Sequence, residues 1–155
     1  MVGVLKGQGD GTFVVSQPKL VAGRFVSDVA LGDFNKDGWL DFVVANRDSN
    51  SFGIFLNIPP TDCTFPQFTF PNFQPQVEYS AGLSPIEVAT GELDGDGHLD
   101  IVVTNSGSNN LTVAKGTGNG TFVLSITLPS GSFPGGLGLA DMNGDGRLDI
   151  VVGNS

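Results

Sequence analysis

Glu92-Leu93-Asp94-Gly95-Asp96-Gly97-His98-Leu99-Asp100, running straight into Ile101-Val102-Val103, is the stretch on which the reading of this 155-residue chain turns. The same nine places recur without gaps as Asp33-Phe34-Asn35-Lys36-Asp37-Gly38-Trp39-Leu40-Asp41 and as Asp141-Met142-Asn143-Gly144-Asp145-Gly146-Arg147-Leu148-Asp149. Each copy is followed at once by an apolar triplet, Phe42-Val43-Val44 or Ile150-Val151-Val152. An acidic loop that delivers the chain into a short β-branched run is a loop-to-strand element, and three copies make it a repeat.

A second set keeps the same rhythm: Gly11-Thr12-Phe13, Asn72-Phe73 and Gly120-Thr121-Phe122. Glu92 to Asp141 and Phe73 to Phe122 are both 49 residues, so the unit is about that long. The interval from Asp33 to Glu92 is 59, and the extra ten residues fall within 58–71 as a loop insertion. In the cleanest unit the patterning predicts strands at Ile86–Thr90, Leu99–Thr104, Leu111–Lys115 and Thr121–Leu128. No connection has room for a crossover helix, so neighbouring strands are antiparallel. The fold class predicted is all-β, a β-propeller of four-stranded antiparallel blades. An all-strand solenoid is the rival, disfavoured by hairpin-like spacing where a parallel coil would turn tightly at every rung.

The units divide the chain into a half blade at 1–20, a full blade at 21–82 carrying the insertion, a full blade at 83–131 and a half blade at 132–155. The first half holds strands at Val2–Lys6 and Phe13–Gln17, the last at Gly136–Ala140 and Leu148–Val152. Three blades' worth cannot close a ring, and the two halves are complementary. The expectation is a homodimer forming one six-bladed ring about a two-fold axis.

Oxygen-bearing side chains at places one, three, five and nine, with glycine at place six, suit a hard cation. Gly38, Gly97 and Gly146 allow the sharp turn. The carbonyls of Trp39, His98 and Arg147, at place seven, can add a ligand while their side chains point outward. The candidate metal ligands are therefore Asp33, Asn35, Asp37, Trp39 and Asp41; Glu92, Asp94, Asp96, His98 and Asp100; and Asp141, Asn143, Asp145, Arg147 and Asp149. Crowded carboxylates repel when empty, and calcium relieves that repulsion better than magnesium, whose small octahedral shell tolerates protein-rich cages poorly. A closing acid at place nine with a strand directly after excludes the twelve-residue helix-loop-helix version.

The composition fits: 23 glycines and 9 prolines against 7 lysines plus arginines suit short strands and tight turns. Of 16 acidic residues ten lie in the three loops, and three Ca²⁺ would move the net charge from −9 to −3. A chain this acidic repels phosphate backbones, which argues against nucleic acid as a partner. No apolar run approaches the ~18 residues of a spanning helix, so no membrane insertion is expected. The single Cys63 cannot form an intrachain disulfide. Met1 to Gly7 lacks the features of a signal peptide, although calcium loops without a switch element suit a calcium-rich extracellular, cell-surface or periplasmic setting.

With its Asp-x-Asn/Asp-x-Asp-Gly-x-x-Asp loops, the apolar triplets after them and its Gly-Thr-Phe turns, the chain resembles the FG-GAP/VCBS repeat family, which builds the integrin α-subunit propeller and related bacterial and lectin propellers. The resemblance spans nearly the whole chain and implies calcium ligation by the loop carboxylates. Glu92 stands where the family usually places Asp, and its longer arm is expected to weaken or reshape that site.

No Ser/His/Asp nucleophilic grouping is visible, and the one histidine, His98, is expected as a solvated loop residue. Paired carboxylates occur only inside the metal loops, so no enzyme activity is expected. The expected role is a protein-interaction or assembly scaffold, with a carbohydrate-binding, lectin-like module as the alternative. Phe65, Phe68 and Phe70 in the insertion are the candidate partner or ligand surface, since aromatics in a stretch without basic residues suit protein contact or sugar stacking.

Overall fold

The computed structural model describes residues 1–15, 19–59 and 72–155. Val26–Gly32 (β3), Asp41–Asn46 (β4), Ser51–Phe55 (β5) and Val77–Ser80 (β8) form one four-stranded sheet, paired antiparallel in that order. Pro85–Gly91 (β9), Asp100–Asn105 (β10), Asn110–Gly116 (β11) and Phe122–Pro129 (β12) form a second. Two-stranded sheets flank these in sequence: Leu5–Gly7 (β1) with Phe13–Val15 (β2), and Pro134–Ala140 (β13) with Asp149–Asn154 (β14). The strands of the second sheet lie within one or two residues of those the patterning predicts. At the start of the chain the difference is larger, because Val2 exchanges backbone hydrogen bonds of 2.9 Å with Leu20 and strand pairing with β2 begins only at Leu5.

Both faces of the second strand of each complete sheet are buried, and the alternation decides which neighbour each residue meets. Val43 and Ala45 of β4 pack with Ile101 and Val103 of β10, along with Phe52, Ile54 and Phe122. Phe42 and Val44 turn the other way, onto Val2, Leu20 and Phe73. Val102 of β10 faces Leu137, Leu139, Ile150 and Val152 of β13 and β14. Successive sheets therefore stack face to face, and among the described residues no sheet closes on itself. Aromatic rings fix the central seam, where Phe122 meets Phe34 edge-on at 5.4 Å and Tyr79 edge-on at 5.9 Å between ring centres.

The inserted residues enter at a hairpin end. Asn57–Ile58 (β6) pairs with Asn72–Phe73 (β7), placing Asn57 opposite Phe73 as Gly116 is opposite Phe122 and Gly7 opposite Phe13. Residues 60–71, with Cys63, Phe65, Phe68 and Phe70, lie outside the described residues.

Candidate metal centre

Each acidic loop joins the first two strands of its sheet: β3 to β4, β9 to β10, β13 to β14. Place six takes a left-handed backbone in all three, with φ of 85° at Gly38, 79° at Gly97 and 84° at Gly146. Place four does the same, at Gly95, Gly144 and, against its side chain's preference, Lys36 at φ 59°. Side chains at odd places fold back on the backbone. The amides of Trp39, His98 and Arg147 donate to Asp37, Asp96 and Asp145 at 2.8, 2.8 and 2.9 Å.

The closing aspartate is structural as well as acidic. Asp41 accepts the amides of Phe34 at 2.9 Å and Asn57 at 2.8 Å, and Asp100 accepts those of Leu93 and Gly116, both at 2.9 Å. Both residues are buried, and burial pushes their carboxyls above the ordinary range even though these amides pull the other way. Asp149 accepts the Met142 amide at 3.0 Å and is only half-buried.

The first place separates the loops. Asp33 is turned onto the amides of Asp37 and Gly38 at 3.1 and 2.9 Å. Asp141 is turned onto those of Gly144, Asp145 and Gly146, which hold its carboxyl below the ordinary range. Glu92, with one more methylene, reaches the Asp94 and Gly95 amides through Oε1 alone, at 3.0 and 2.5 Å. In this loop, where place three is Asp94 instead of the asparagine of the other two, Glu92, Asp94 and Asp100 each present a carboxylate oxygen within 4.8 Å of the others. That spacing lets this donor set hold one divalent cation through carboxylate oxygens from all three residues. Among the described residues it is the group of three acidic side chains brought to a common point. In the first and third loops Asn35 and Asn143 each donate to the place-five carboxylate, Asp37 or Asp145, at 2.9 and 3.2 Å.

His98 differs from expectation. It is half-buried, its ring folded against Gly118 where a Cβ would collide with it, and its Nδ1 is enclosed without a hydrogen-bond partner. Trp39 is 41% exposed, as an outward-pointing place-seven residue should be. One residue lay outside the motif. Lys115 on β11 sets its Nζ 2.5 Å from Asp94 Oδ2 and holds that carboxyl below the ordinary range. It sits 15 residues past the loop's closing acid, where loop spacing carries no signal.

The FG-GAP-like repeat matches residues 1–44 and 92–152. The chain belongs to this family. The matched segments contain all three acidic loops, so the converging carboxylates of the second loop belong to an FG-GAP-like unit. No curated protein and no solved structure matches the chain.

Proposed function

We propose that this FG-GAP-like chain contributes blades to a calcium-stabilised β-propeller that serves as a protein-interaction or assembly scaffold, binding partners without catalysing a reaction. The observation that carries the reading is the meeting of Glu92, Asp94 and Asp100 within 4.8 Å at the end of a sheet stacked face to face with its neighbours. Calcium bound there would offset half of the loop's four negative charges and fix the approach of β9 to β10. The first and third loops, with oxygen-bearing side chains at the same four places, take the same ion once Asp33 and Asp141 release their amides. Calorimetric titration of metal-free protein with calcium should give about three sites per chain, together with a higher Tm. Absence of uptake would overturn the reading.

Self-association belongs to the same proposal. Gly7 holds the register place of Gly116, whose amide closes the Asp100 carboxylate. The β1–β2 hairpin of one copy, laid along β14 of another, would bring Gly7 to Asp149 in the same way. Leu5 and Phe13, 59% and 65% exposed, would enter the environment of their equivalents Ala114 and Phe122, which are 0% and 6% exposed. Two copies joined at both seams make a six-bladed ring. Sedimentation should return twice the mass of the chain, and a monomer at tens of micromolar would remove the dimer while leaving the calcium proposal intact.

A further inference from the structure

The three loops are not electrostatically alike. The first and third hold three carboxylates and one internal basic residue each, Lys36 and Arg147, whereas the second holds four carboxylates and no lysine or arginine. The missing charge is supplied from elsewhere in the fold. Lys115, carried by β11, reaches across to Asp94 at 2.5 Å. In the first unit the equivalent place is Leu56, whose side chain lies where a Cβ on Gly120 would go. The neighbouring cations come close without the same contact. Lys36 Nζ is 3.9 Å from the place a Cβ on Gly97 would take, and Arg147 lines a 310 Å³ cleft with Glu92 and Asp94. Among the described residues, Lys115 is the basic side chain that bonds to a carboxylate of this loop.

We propose that Lys115 is a built-in competitor at the second loop, an ammonium that a divalent cation must displace from Asp94 before the four carboxylates can close on it. It neutralises part of the repulsion in the metal-free loop and lowers the loop's affinity for calcium, so it sets the calcium concentration at which this site fills. The inference rests on the calcium reading above. A lysine side chain is suited to this role because its point charge sits on a flexible stem and can swing away without disturbing β11.

The test is calorimetric titration of metal-free wild type, Lys115→Gln, Lys115→Met and Lys115→Arg with calcium at low ionic strength, with the Gly95 and Gly97 amide resonances identifying the second site. Removing the charge should tighten that site about fivefold, the size of one partly exposed ion pair, and leave the other sites unchanged. Lys115→Arg should titrate like wild type, and Lys36→Gln should shift the second site less than twofold by the same screening argument. Two neutral variants guard against a folding defect in either one. The inference is overturned if both neutral variants bind like wild type or more weakly, or if the arginine variant behaves like the neutral ones. Calcium uptake that ignores Lys115 sinks this inference alone, whereas no uptake by any variant sinks the calcium reading with it.

Discussion

Asp100 and Gly116, sixteen residues apart, are joined by a 2.9 Å hydrogen bond from the glycine amide to the buried carboxylate, which fastens the acidic loop to the end of the third strand. The partner oxygen holds Leu93, so one side chain satisfies two backbone donors that the fold hides from water. Asp41 repeats the arrangement with Asn57 and Phe34. Replacing Asp100 with alanine should therefore cost about 2–4 kcal/mol in urea unfolding without calcium, since each amide loses a charged acceptor. Asp149→Ala, with one such bond and greater exposure, should cost about 1 kcal/mol or less. Equal losses at the two positions would contradict a structural role for the second amide.

Phe122 is the ring that both Phe34 and Tyr79 meet edge-on, and it is buried. Its truncation to alanine should destabilise the protein by about 3–5 kcal/mol. Phe13 holds the same repeat place but is 65% exposed, so Phe13→Ala should change the unfolding free energy of the isolated chain by about 0.5 kcal/mol or less. If the dimer forms, the Phe13 variant will instead show its effect in the sedimentation equilibrium.

Asn109 links one sheet to the next. It stands at φ 52° after β10, and its Oδ1 accepts the Phe133 amide at 2.8 Å, as Asn50 accepts that of Ser84 at 2.9 Å. Alanine at 109 loses the bond and keeps the left-handed strain, for an expected loss of about 1–2 kcal/mol; glycine loses the bond alone and should cost about half as much. A thermal melt that ranks glycine below alanine would contradict this.

Acidification should act in opposite directions with and without metal. Burial raises the folded-state carboxyls of Asp41 and Asp100, so the stability associated with that shift is fully present below the unfolded value near 3.8 and is lost as pH rises through the folded values. Asp94 and Asp141 are lowered, the first by Lys115 and the second by the Gly146 amide. Their contribution is present above 3.8 and disappears as pH falls through their folded values. Metal-free protein should thus gain Tm as pH drops from 7 toward the unfolded value near 3.8, and lose it as pH falls further. In saturating calcium the Tm should fall steadily over the first interval, because protons compete with the ion. A metal-free Tm that declines from pH 7 downward would refute the assignment.

The repeat was legible because loop spacing, the apolar triplets and the Phe13, Phe73 and Phe122 positions are sequence-local and repeat in register. Glu92 could be singled out from the sequence as a departure, but the direction of its effect could not. Whether its longer arm spoils or completes a three-carboxylate cluster depends on which amides lie within reach. Lys115 was invisible for a related reason, since only the pairing of β10 with β11 brings it beside Asp94. A third periodic signal went unread: Gly23, Gly82 and Gly131, each beneath an Asn46, Asn105 or Asn154 side chain that leaves no room for a Cβ. Short Ala-Gly and Ser-Gly pairs carry little information until the asparagines above them are known. His98 was misjudged because the neighbour that covers it, Gly118, belongs to a turn two strands away.

The pairing of Asn57 with Phe73 brings together the two chain segments on either side of the insertion. Phe73 packs beside Phe42 and Phe55, and Tyr79 stacks on Phe52. The 59-residue and 49-residue spacings thus describe one hairpin register, since Asn57 faces Phe73 as Gly116 faces Phe122, and the chain can lengthen between these two places without shifting the strands that follow.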